Sequence, residues 1–167
     1  IPAALEQLGL KPQILSAQDL AFGDLTRYST IITGIRAYNV NEELRTNNQR
    51  LLNYVAQGGS LIVQYVRPMG RPAGGEIGSL FAFGPYPMSV SDSERITVED
   101  SPIRILDPSN PVFNRPNKIS DDDFSGWVQE RGLYFMNSWD ERYTALLSGS
   151  DPGDAPRNGG MLYAEYG

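Results

Sequence analysis

Arg36, Tyr38 and Asn39 follow one β-branched run, and Tyr65 and Arg67 follow another. Arginine forks clamp carboxylates and phosphates, while amide and phenol groups can read sugar hydroxyls. In an open α/β sheet, ligands sit beyond the carboxyl ends of the strands, which is the address of these residues. Arg36, Asn39, Tyr65 and Arg67, with Tyr38 beside them, therefore form a candidate site for a small anion or a sugar. The competing reading is that they hydrogen-bond loop carbonyls and each other. A second concentration is Trp127, Glu130, Arg131, Tyr134, Trp139, Asp140 and Glu141, where aromatic faces stand beside carboxylates. Trp127 and Glu130 extend the binding reading. Glu130 with Asp140 or Glu141 could instead be the carboxylate pair of a hydrolase, which needs about 5–10 Å between the two groups. A core-edge cluster in which Trp127 and Trp139 pack is the favoured alternative.

Other acidic groups read as structure. Adjacent side chains of the run Asp121-Asp122-Asp123 would point in different directions on a helix, which suits a metal poorly. Ser120 with Asp123 three residues later is a capping box, and acids favour a helix N-terminus. Asp151-Pro152-Gly153-Asp154 has the chemistry of a turn and too few oxygen ligands for calcium.

The residue types missing from the chain exclude more than those present. Among 167 residues there is no His and no Cys. That removes disulfides, thiolate nucleophiles, sulfur or imidazole metal ligands, and any Ser-His or Cys-His pair. No cofactor is implied. With 14 Lys and Arg against 20 Asp and Glu, the net charge is −6, the opposite of a nucleic-acid footprint. No apolar run reaches the roughly 18–20 residues of a membrane span.

Positioning these residues falls to a few elements. Residues 2–9 read as a helix with Pro2 at its first position and Gly9 at its stop. Ile14-Leu15 reads as a short strand. Residues 29–33 are β-branched and apolar, a buried strand. Asn41 then caps a helix of roughly four turns with Glu42 and Glu43 in its first turn, and Leu44, Leu51, Leu52 and Val55 form one stripe. Gly58-Gly59 ends that helix, and residues 60–66 form the next buried strand. Strand, helix, strand is a βαβ unit, so residues 1–66 are expected to be a flavodoxin-like, doubly wound, mainly parallel α/β half. From Arg67 onward Pro and Gly punctuate a loop-rich stretch. Short extended pieces near 86–90, 94–99, 132–136, 144–148 and 160–166 point to an antiparallel extension. The whole reads as a single domain over 1–167. A strand before residue 2 and a partner for residues 161–167 are expected to be missing, which makes the chain a fragment.

The strand-to-helix turn after residues 61–64 is where many α/β enzymes carry a nucleophile elbow. Here its centre is Tyr65, flanked by Val63 and Arg67, neither small enough for the sharp turn. The run from Ser29 to Gly34, the following helix and Gly58-Gly59-Ser60-Leu61-Ile62-Val63 nevertheless resemble the first half of class I glutamine amidotransferase-like domains, in particular the ThuA-like branch. Residues 105–113 resemble the later ThuA-like segment. Thr33-Gly34-Ile35-Arg36-Ala37-Tyr38-Asn39 and residues 124–135 are similar to the C-terminal domain carried by large bacterial PIG-L (LmbE-like) deacetylases. In the amidotransferases the elbow holds Cys with a downstream His; Tyr65 stands at that Cys position. ThuA-like proteins often place His at the elbow and before the later Pro, where this chain has Tyr65 and Asn110. No catalytic residue transfers. The resemblance implies a non-catalytic accessory domain whose partner is a missing N-terminal zinc deacetylase domain of the same polypeptide. It also implies a secreted or periplasmic bacterial parent.

Overall fold

A computed structural model of the chain describes residues 1–68, 83–126 and 132–167. These divide into two compact units, Ile1–Val66 with Tyr166–Gly167, and Arg67–Glu165. The boundary falls where the sequence turns from βαβ periodicity to Pro/Gly punctuation.

In the first unit, α1 (Pro2–Gln7) begins on Pro2, and α2 (Ala17–Phe22) begins on a Ser16–Asp19 capping box. The Asp19 carboxylate accepts the Ser16 N–H at 3.0 Å and its hydroxyl at 2.6 Å. Ile14-Leu15, expected as a strand, pairs with no described strand, and Ile14 is 78% exposed. Two apolar residues without an adjacent edge cannot build a ladder. The β-branched run forms β1 (Thr30–Thr33) as expected. A short α3 (Ala37–Val40) follows, then α4 (Glu42–Thr46), capped by the Asn41 side chain accepting the Leu44 N–H at 2.8 Å.

The expected four-turn helix is interrupted. After α4 the chain leaves helical geometry at Asn47 (φ −99°, ψ 12°) before α5 (Asn48–Ala56). The Glu43 carbonyl accepts both the Asn47 backbone N–H at 3.0 Å and the Asn47 side-chain amide at 2.8 Å, so this side chain folds back on the last turn of α4. Leu44 and Leu51 keep their inward stripe, with Tyr54 beside them, whereas Leu52 and Val55 are half-buried. Arg50 fastens α5 to the end of α2, its guanidinium donating to the Leu20 and Gly23 carbonyls at 2.6 Å each. Helix-end carbonyls lack intrahelical partners, so this is a cationic cap supplied from another element. A Cβ at Gly59 would collide with the Tyr54 ring, so only glycine lets the chain turn into β2 (Ser60–Val63) there.

β1 and β2 pair in parallel as a two-stranded sheet. β2 is shorter than expected and alternates exposed with half-buried residues, Ile62 being 48% exposed. An apolar composition was compatible with burial on both faces; among the described residues the strand pairs with β1 alone, without the second neighbour that such burial needs.

The second unit is antiparallel. β3 (Met88–Val90) pairs with β5 (Met136–Trp139), and β4 (Ile103–Ile105), β6 (Thr144–Gly149) and β7 (Arg157–Tyr163) form a sheet in the order β4-β6-β7. The expected strand at 94–99 is reduced to one bridge between Arg95 and Leu133, and the strand expected at 132–136 begins only at Met136. The C-terminal strand, expected to lack a partner, lies on β6 through the Thr144–Tyr163 and Ala145–Leu162 pairs. Phe83, Met88, Ile96, Phe113, Phe135, Tyr143 and Leu146 form its core. Among the described residues, no helix is long and apolar enough to cross a membrane.

Candidate functional site

The in-register pairing from Thr30–Ser60 to Thr33–Val63 ends β1 and β2 side by side. Both chains then leave the sheet, and their first backbone groups tie the two exits together. Arg36 donates its N–H to the Tyr65 carbonyl at 2.7 Å. To do so it takes a left-handed conformation, φ 58° and ψ 17°, at the N-cap of α3. An L-residue there costs about 1–2 kcal/mol. Asn39 donates its N–H to the Arg36 carbonyl at 2.9 Å. Arg36, Asn39 and Tyr65 are thus joined through backbone bonds, with Arg36 exposed and Asn39 and Tyr65 half-buried.

The other expected site residues fall elsewhere. Arg67 is exposed and belongs to the second unit. Trp127 and Glu130 lie outside the described residues. Tyr38 is not a crevice residue: it is 0% exposed, its hydroxyl donates to Asn48 Oδ1 at 2.6 Å, and burial pushes its phenol pKa up. Its carbonyl accepts from Arg45 at 2.9 Å, so it anchors α3 in the core.

Two polar atoms that sequence reasoning missed stand at this edge. Thr33 Oγ1, at the last position of β1, and Gln64 Oε1, one residue beyond β2, are buried with no hydrogen-bond partner among the described residues. A buried unpaired polar group costs about 1–3 kcal/mol. The available signal was positional, a Thr and a Gln closing otherwise apolar runs at equivalent strand ends.

A nucleophile elbow needs its central residue in a strained turn. Among the described residues Arg36 is the non-glycine with positive φ, so Tyr65 is not held in a left-handed conformation. The sharp turn that the flanks Val63 and Arg67 were expected to forbid is accordingly not marked by a left-handed Tyr65.

The acidic groups are engaged structurally. The Asp123 carboxylate accepts the Ser120 N–H at 2.7 Å, forming the expected box at the 3-10 turn Asp121–Phe124. Asp140 is gripped by Arg142 through two bonds of 2.7 and 2.8 Å, which holds its carboxyl down at about 2. Arg142 in turn lies 3.7 Å from the Tyr86 ring centroid, and Tyr86 meets Tyr143 edge-on. A carboxyl held that low cannot be a proton donor near neutral pH. Asp151 and Asp154 form the expected turn, with Asp154 donating its N–H to the Asp151 carbonyl at 3.0 Å. The Asp151 side chain does more than expected, accepting from Thr97 and Val98 N–H groups and from the Thr97 and Ser101 hydroxyls.

Compared with protein-family models, characterised proteins and solved structures, the chain matches none.

Proposed function

We propose that this chain is a non-catalytic domain of the amidotransferase-like type, accessory to a catalytic domain of a larger protein. The resemblance stated above makes that partner a PIG-L-like N-acetyl-sugar deacetylase. The parallel β1–helix–β2 unit is the piece from which a flavodoxin-like, doubly wound sheet is built, and supports that finer fold reading. The observation that carries the accessory role is the apolar surface of the first unit. Leu8, Ile14, Phe22 and Val40 stand 77%, 78%, 84% and 73% exposed. Large apolar side chains left in water in this number suit a surface that another protein surface covers. The absence of Cys and His, with Tyr65 at the elbow, supports the non-catalytic half of the reading.

The test is association in trans. The chain mixed with a separately expressed PIG-L-type deacetylase domain is expected to co-elute with it, and Phe22→Ser with Val40→Ser to abolish co-elution without altering the fold. Failure of the unaltered chain to associate would contradict the reading.

A second reading is a small anion or a sugar held at the Arg36 loop, favoured by the left-handed Arg36 that ties the ends of β1 and β2 together through the Tyr65 carbonyl, with Asn39 and Tyr65 from the same unit. Saturable binding of phosphate, citrate or a monosaccharide, lost in Arg36→Ala, is the expected result; flat titrations remove this reading. Of the two carboxylate pairs considered for a hydrolase, Glu130 with Asp140 or with Glu141, the first is not favoured, because Arg142 already occupies the Asp140 carboxylate.

A further inference from the structure

We propose that the second unit carries a saccharide-binding cleft of its own, between the end of β5 and the start of β7. β7 can cross β5 closely because Gly159 has no side chain; a Cβ there would collide with the Met136 carbonyl. Beside that crossing opens a cleft of about 430 Å³, lined among others by Glu94, Asn137, Trp139, Asp154, Arg157 and Asn158. Its volume lies within the roughly 300–1,000 Å³ of small-molecule sites.

The hydrogen-bonding state of these side chains specifies the ligand. Arg157 donates through Nη2 to Asp154 at 3.0 Å, so that pair is already engaged. The Glu94 carboxylate has no described donor, although the Glu94 backbone is fixed by its N–H bond to Ser91 Oγ at 2.8 Å. It needs a donor. Asn137 receives the Ser89 hydroxyl at 2.6 Å on its carbonyl, which leaves its N–H pair to donate. Trp139 adds a broad apolar face with a polar edge.

A ligand for this cleft must accept, donate and present an apolar face at once. Sugar hydroxyls both donate and accept, and the C–H face of a pyranose lies flat on an indole. Charge narrows the class further. Asp154 already neutralises Arg157, so Glu94 leaves the lining negative by one, which disfavours anionic sugars. The ligand is therefore a neutral saccharide. This site is independent of the deacetylase reading and of the edge at Thr33 and Gln64.

The test is calorimetric titration of the whole chain with maltotriose, cellotriose and tri-N-acetylchitotriose, against tri-galacturonate as the anionic probe. At least one neutral trimer is expected to bind saturably and at least tenfold more tightly than the anionic one. Trp139→Ala is expected to weaken that binding at least tenfold and Glu94→Gln at least threefold. Should Trp139→Ala fail to fold, Glu94→Gln decides, since Glu94 makes no described side-chain bond. No binding of any neutral trimer, tighter binding of tri-galacturonate, or neutral binding indifferent to Glu94→Gln would each overturn the proposal.

Discussion

Arg36 stands at φ 58° with its N–H on the Tyr65 carbonyl, so its backbone is doing what a glycine does more readily. Replacing it by glycine relieves the left-handed strain and keeps the N–H. Set against the extra chain entropy of glycine, Arg36→Gly is expected to gain about 0.5–1 kcal/mol in denaturant unfolding. A loss of stability would mean the guanidinium makes a native contact worth more than the strain. The same variant should abolish any anion binding at the strand ends. Asp151 is the other residue whose role is local and measurable. The Val98 N–H first, and then the Thr97 hydroxyl, hold its carboxyl at about 2, below its ordinary 3.8. A depressed carboxyl contributes stability that is full above its unfolded value and disappears as the pH falls through the folded one. Acid unfolding should therefore steepen between about pH 4 and pH 2, and Asp151→Asn should flatten that segment of a stability–pH curve. A variant curve parallel to the wild-type one would remove Asp151 from the account. Asp140, held low by Arg142, keeps part of the dependence in the variant.

At the scale of elements, the crossing of β5 and β7 depends on Gly159. Because the obstacle is the Met136 backbone rather than a flexible side-chain tip, Gly159→Ala should cost about 1–3 kcal/mol, at the upper end of that overpacking range, read as a lower urea midpoint. A midpoint within error of wild type would show that the strands separate without penalty. The elements most legible in the sequence were those with a chemical marker at each boundary. β1 carried its β-branched run, α4 its Asn41 cap and first-turn acids, and Gly58-Gly59 the stop of α5. What could not be read was decided by neighbours. The helix breaks at Asn47, where the leucine stripe runs straight through, and there the Asn47 side-chain amide folds back on the Glu43 carbonyl. Ile14-Leu15 looked like a strand only because two apolar residues carry no record of whether an edge lies beside them. The candidate site was legible in the same measure. Position relative to β1 and β2 brought Arg36, Asn39 and Tyr65 together, but burial removed Tyr38 and added Thr33 and Gln64, and burial is not written in a residue's type.

At the scale of the molecule, each unit has its own fully buried anchor, Leu51 in the first and Leu146 in the second, both 0% exposed. Truncating either to Ala should cost about 2–5 kcal/mol from lost transfer energy and the cavity left behind. Hydrogen exchange should then rise chiefly within residues 1–66 for Leu51→Ala and within residues 67–165 for Leu146→Ala. Uniform acceleration across the chain in both variants would contradict this division. The two units also differ in what they offer: exposed apolar side chains in the first, and a polar cleft in the second. The central proposal is that the chain is an amidotransferase-like domain without amidotransferase chemistry. The most direct measurement is glutamate release from glutamine by the purified chain, followed by NMR alongside Tyr65→Phe. The account predicts release at the uncatalysed background in both proteins. Turnover above background that Tyr65→Phe abolishes would contradict it.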